Sequence, residues 1–211
     1  MTTTQPKPAN VASGATTGIA PGFSDPVHES QAVFRQILEA MSRPGMIMGI
    51  ETTAEAPGTM AEGMAALSLT LLDGDTRVWL DAALAEHAAV ADYLRFHCGC
   101  PIVQSPFDAD FALIGSVDTL PRLERFSPGT AQYPERSATV VIEVPKLTGG
   151  PATVLTGPGI ETTRDFDPVG LPDWFWSAWA VNRGSFPLGI DAVFTCDAEF
   201  CALPRSTRVE A

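Results

Sequence analysis

Lysine is almost missing from this chain. Among its 211 residues, 13 are Lys or Arg, and lysine occurs only at Lys7 and Lys146, against 25 Asp and Glu and a net charge of −12. That balance argues against nucleic acid as a partner, because phosphate contacts need clustered basic side chains. It argues equally against a polybasic membrane anchor. Long apolar runs are missing too, since no stretch approaches the roughly 20 consecutive apolar residues of a membrane helix. Met1–Pro8 has no basic start leading into an apolar run, so no secretory signal is expected. A cytoplasmic chain with reduced thiols follows. Cysteine is scarce: Cys98, Cys100, Cys196 and Cys201. One residue separates the first pair and four the second, a poor match to the paired Cys-x2-4-Cys knuckles of structural zinc. Small buried thiols, and no metal, are therefore expected. No nucleophile elbow, HExxH motif, paired metal-binding carboxylates or Ser/His/Asp pattern is present either.

What remains is a chain with 45% hydrophobic residues, a length suited to one domain, and enough of it to bury roughly 70% of its unfolded surface. Residues 1–22 are mostly Thr, Pro, Ala, Gly and Ser and read as a disordered tail, because burial there cannot offset the ordering entropy. Residues 23–211 read as a single α/β domain. Asp25-Pro26 is a helix start, with Val27, Phe34, Ile37, Leu38 and Met41 on one face. Thr59-Met60-Ala61-Glu62 has capping-box spacing ahead of a second helix, with Met60, Met64, Leu67 and Leu71 as its buried stripe. A third helix is expected from Leu84 to about Phe96, and a Trp-rich one from Asp173 to about Ala180. Strands are expected near 46–50, 77–80, 110–114, 138–144 and 153–156, with a terminal hairpin over 190–195 and 200–203. The 138–144 run is nearly continuous in apolar and β-branched residues, which suggests cover on both faces. Strands interleaved with helices imply a three-layer α/β/α sandwich with a mixed sheet.

Two segments could bind an anion. Gly157-Pro158-Gly159 follows a strand, and its backbone N–H groups could approach a phosphate, but it matches neither phosphate-loop pattern and proline removes a donor, so a plain turn is the favoured reading. Arg205 and Ser206 lie just beyond a strand end, and a guanidinium fork suits phosphate or carboxylate. The competing reading pairs Arg205 with a local acid such as Asp191. His97, at a helix C-terminus, reads as a structural histidine favoured by the helix dipole. Trp174, Phe175, Trp176 and Trp179 exceed what one helix face buries, so part of that surface is expected to meet another chain.

Several strings carry a resemblance: Ala40-Met41-Ser42-Arg43-Pro44-Gly45, Asp73-Gly74-Asp75-Thr76-Arg77-Val78-Trp79-Leu80, Leu94-Arg95-Phe96-His97, Thr156-Gly157-Pro158-Gly159-Ile160, Phe186-Pro187-Leu188-Gly189-Ile190-Asp191 and Pro204-Arg205-Ser206-Thr207. In this order the chain resembles the PhnH family, the H subunit of the bacterial carbon–phosphorus lyase system. Cys98 departs from the threonine often found in the family after the histidine. The resemblance implies a core complex with the G, I and J subunits, in which a phosphonate displaces adenine from a purine nucleoside triphosphate to give ribose 1-alkylphosphonate 5-triphosphate. It places the catalytic chemistry mainly on other subunits, so the expected role is one of contact surface, with a homodimer plausible in isolation. It also implies a fold similar to the pyridoxal-phosphate-dependent transferases but without the cofactor. The lysines agree, because an internal aldimine needs a lysine on a rigid, partly desolvated site. Lys7 lies in the tail and Lys146 in a turn-like segment. The alternative from another class is a stand-alone enzyme or sensor that binds a phosphorylated ligand through Arg205, Ser206 and the 157–159 turn.

Overall fold

A computed structural model describes residues 18–210; most of the expected tail lies outside them. The first half of the chain forms α1 (Pro26–Ser42), β1 (Met48–Gly49), α2 (Glu62–Leu71), β2 (Val78–Leu80), α3 (Ala82–Ala85), α4 (Ala88–His97) and β3 (Phe111–Ile114). The second half adds β4 (Thr139–Glu143), β5 (Thr153–Thr156), β6 (Arg164–Phe166), α5 (Phe175–Gly184), β7 (Asp191–Cys196), β8 (Glu199–Leu203) and β9 (Arg208–Glu210). Six strands make one mixed sheet in the order β1-β8-β7-β4-β3-β2, and β6-β5-β9 make a small antiparallel one. Strands β2, β3, β4 and β7 run parallel, whereas β8 is antiparallel to both its neighbours. The mixed sheet expected from the strand-rich second half is therefore present.

The large sheet is apolar on both faces, as the continuous β4 pattern implies. Val141 faces a core with Met64, Leu67, Leu84 and Leu94 from the helices α2, α3 and α4. Val140 and Ile142 face a second core with Phe175 and Trp179 of α5 and Leu155 and Phe166 of the small sheet. A period of two along the strand thus feeds two different cores.

Helix α1 begins as its sequence announces. Asp25 is the N-cap, its side chain accepts from the His28 N–H, and Pro26 opens the helix. Glu29 then ties the first turn to a distant loop, accepting from the backbone N–H groups of Asp25 (3.0 Å) and Thr53 (2.9 Å). These donors hold its carboxyl at about 2, well below the usual range.

Three local expectations fail, each for a tertiary reason. The α1 stripe is rotated: Val33, Ile37 and Ala40 are buried, while Val27, Phe34 and Leu38 are exposed. Small Ala40 turns inward, where it permits close approach of the neighbouring core. The Thr59–Glu62 capping box does not form, because α2 starts at Glu62 after Ala61 and has no side-chain cap. A remote carbonyl replaces it: the Gly63 N–H donates to the Asp197 carbonyl at 2.7 Å across the β7–β8 turn. A Cβ on Gly63 would sit 2.9 Å from that oxygen, so the close approach depends on glycine. The third helix is split into α3 and α4, with an extended His87 between them. Strands β6 (Arg-Asp-Phe) and β9 (Arg-Val-Glu) are three residues long with two charged residues each, too short and polar to be marked in sequence.

Candidate functional site

Open α/β sheets bind ligands beyond the carboxyl ends of their parallel strands, which here are Leu80, Ile114, Glu143 and Cys196. Asp81 follows β2 and is fully buried. Its carboxylate caps α3 through the Leu84 N–H (2.9 Å) and gathers the N–H groups of Gly115 (3.0 Å) and Ser116 (3.2 Å) and the Thr119 hydroxyl. Four donors account for its lone pairs, so Asp81 organises the loop after β3 and has no capacity left for a substrate. Beside it lies a crevice of about 360 Å³, lined by Ser116, Asp118, Glu143, Pro145, Cys196 and Asp197 among others. Burial pushes the Glu143 carboxyl up to about 7, against the opposing effect of the Thr195 hydroxyl, which donates to it at 2.6 Å. Burial, reinforced by Asp197 and Glu143, also pushes the Cys196 thiol up. The crevice lining contains acids and a protonated thiol but no Lys or Arg, so an anionic substrate would be repelled there.

The residues expected to bind an anion fall elsewhere. Because β8 runs antiparallel, the segment after Leu203 emerges beside the start of β7, at the edge opposite the parallel carboxyl ends. Arg205 is paired with Asp191, the first residue of β7: Nε donates to Oδ1 (3.1 Å) and Oδ2 (3.2 Å), and the second guanidinium nitrogen donates to Oδ2. Its remaining terminal nitrogen donates to the carbonyls of Pro134 (2.9 Å) and Pro187 (3.4 Å). The backbone N–H of Arg205 reaches the same carboxylate at 2.7 Å. Of the two readings of Arg205, the ion pair with Asp191 is the one present. Gly157 does meet the Ser206 segment, its Cβ position lying 3.4 Å from the Ser206 carbonyl. Gly159 instead faces the end of α1, where a Cβ would fall 1.9 Å from the Ser42 carbonyl oxygen, with φ +82°. Both glycines serve close packing of a turn, and the Arg205 guanidinium is taken up by Asp191, Pro134 and Pro187.

The cysteines and His97 are structural. The His97 Nε2 lies 2.9 Å from the Ala20 carbonyl, tying the segment before α1 to the end of α4. Burial pushes the Cys98 and Cys201 thiols up to about 12 and raises that of Cys100. Among the described residues no group of three or more His, Cys, Asp or Glu side chains is placed to hold a metal ion. Lys146 is exposed, in a two-stranded bridge with Val169.

A groove of about 590 Å³ lies beside α5, lined by Phe107, Arg122, Phe126, Val181, Asn182 and Ile190 among others. It continues past Arg122 and Glu124 into a second depression of about 500 Å³ bordered by Trp79, Pro106 and Arg125. Sequence reasoning placed the exposed aromatic surface on the tryptophans. The fold buries Trp179 and Phe175 completely and half-buries Trp174 and Trp176. Arg122 lies 4.6 Å over the Trp174 ring, and Phe166 meets Trp176 edge to face. The exposed apolar groups here are Val181, Phe107 and Phe186. Phe107 lies in a 3-10 turn (Pro106–Asp108) and Phe186 follows α5, and nothing in the local pattern marked any of the three.

Fold and surface together define a mixed-sheet α/β protein with an acidic crevice beyond its parallel strands and an apolar groove beside α5. The family model described as "Bacterial phosphonate metabolism protein (PhnH)" matches residues 21–210, and the chain belongs to that family. It is 40% identical over 188 residues, 89% of this chain and 94% of the relative, to the alpha-D-ribose 1-methylphosphonate 5-triphosphate synthase subunit PhnH of Rhizobium meliloti (strain 1021). It is 33% identical over 184 residues, 85% of each chain, to the putative C-P lyase subunit protein HtxG of Stutzerimonas stutzeri. In the described residues no helix is long and apolar enough to cross a membrane.

Proposed function

We propose that this chain is a subunit of ribose 1-methylphosphonate 5-triphosphate synthase, within a carbon–phosphorus lyase complex, and that it contributes contact surface while its sister subunits contribute the reacting groups. The observation that carries this is the 40% identity spanning 94% of a relative that bears that subunit name. The groove beside α5, with Val181 and Phe107 exposed, supports an assembly role. On this reading residues 23–211 act as one cytoplasmic domain. Its partners are the G, I and J subunits, and it pairs with a second copy when isolated. The layered fold is that of the pyridoxal-phosphate transferases with the cofactor dispensed with, since the exposed Lys146 has no desolvated pocket in which to form an aldimine. Deletion of the gene tests the assignment. Growth on methylphosphonate as sole phosphorus source should be lost and growth on inorganic phosphate kept; unaltered growth on methylphosphonate would overturn it.

A further inference from the structure

We infer that the groove beside α5 is the seat for a partner subunit's segment in which an apolar side chain is flanked by carboxylates; this rests on the subunit reading above. The floor is apolar, built from Phe107, Phe126, Val181 and Ile190, with Val181 73% and Phe107 57% exposed. Exposed side chains of this size around a concavity are what a buried interface anchor uses.

Charge identifies the occupant. In a chain of net charge −12 this trough carries Arg122 on the ridge between its two depressions and Arg125 in the second, with Glu124 as the opposing charge on that ridge. Among the described residues ion pairs form at Arg43, Arg77, Arg95 and Arg205, and not at Arg122 or Arg125 or at the other arginines. Arg122 is also held in place. Its guanidinium carbon lies 4.6 Å over the Trp174 ring, a cation–π contact that leaves the N–H donors for a carboxylate. Residues 1–17 of the chain itself hold Lys7 and no carboxylate, so they do not complement this rim. A sister subunit's helix or extended segment does, with an aliphatic or aromatic side chain seated between Phe107 and Val181 and acids reaching Arg122 and Arg125.

The test is co-expression of the full chain with the other synthase subunits and recovery of the assembled complex. Val181→Asp and the pair Arg122→Glu with Arg125→Glu should each lower recovery about tenfold or more, the consequence of removing a hot-spot contact. Leu38→Asp, on the exposed face of α1 (54% exposed), should leave recovery unchanged. Thermal midpoints of the purified variants within a few degrees of the parent show that the fold is intact. Wild-type recovery for both groove variants overturns the groove as the docking seat while leaving the subunit reading standing. Disruption of a homodimer with hetero-assembly intact assigns the groove to a second copy and overturns the inference. A wild-type chain that assembles with no sister subunit overturns the subunit reading and this inference with it.

Discussion

Replacing Arg205 by alanine distinguishes a structural arginine from a ligand-binding one. Arg205 and Asp191 are each 14% exposed at the side chain, so the pair is mostly withdrawn from water. The substitution strands Asp191 with a single backbone donor and leaves the Pro134 and Pro187 carbonyls without their guanidinium partner. Breaking a buried pair from one side costs about 3–5 kcal/mol, and residual exposure favours the lower end, about 3 kcal/mol. For a domain of this size that lowers the thermal midpoint by roughly 6–12 °C. Asp191 begins β7, which lies between β4 and β8, so the damage falls in the middle of the sheet. A double variant, Arg205→Met with Asp191→Leu, should recover most of the loss, because no buried charge is then unpaired. Differential scanning calorimetry of parent, single and double variants, with titration calorimetry against nucleoside triphosphate, reads both alternatives. An Arg205→Ala protein with unchanged midpoint but abolished triphosphate binding would refute the structural reading and restore the anion site.

Glu143 sets a pH dependence of known sign. Its carboxyl is raised from 4.5 to about 7, so its contribution to stability is full below about 4.5 and is lost as pH rises through about 7. Thermal midpoints between pH 5 and 8 should decline for the parent and flatten for Glu143→Gln; parallel curves would contradict this. Gly159→Ala places a methyl 1.9 Å from the Ser42 carbonyl at positive φ and should cost more than about 2 kcal/mol by urea denaturation. Gly184→Ala, at the end of α5 with nothing within 4 Å of its Cβ position, should be neutral or stabilise by up to about 1 kcal/mol. The thiols of Cys98 and Cys201, pushed up to about 12, should resist iodoacetamide at pH 8 in the native protein and react once it is unfolded. Rapid native labelling of both would show that the burial is wrong.

Local signals held wherever a few neighbouring residues decide the outcome. The Asp25-Pro26 start of α1, the β7–β8 hairpin and the two-faced β4 all belong to this group. The α2 cap failed because its acceptor is 134 residues away in sequence, at Asp197. The α1 stripe failed because helical periodicity names a set of apolar residues without saying which arc meets a neighbour. For the candidate site, pairing of Arg205 with Asp191 was one of two sequence readings, and the hairpin that joins them made it legible. The groove was not legible: Phe107, Arg122 and Val181 come from three separate segments with no shared motif.

Composition and local pattern alone determined the class of the chain, the existence of most of its helices and strands, and, through strings spread from α1 to the turn after β8, its family. These depend on side-chain period, caps and turn residues within a few positions of one another. Tertiary structure alone decided the order of the sheet, in which β4 pairs with β7 some 52 residues later (Thr139 with Asp191), and with it the direction in which each edge faces. It decided that Arg205 is spent on an acid, that most of the tryptophan surface is covered, and that an apolar trough edged by unpaired arginines is left open. Burial and charge pairing are properties of distant residues brought together, and no local window of sequence contains both partners.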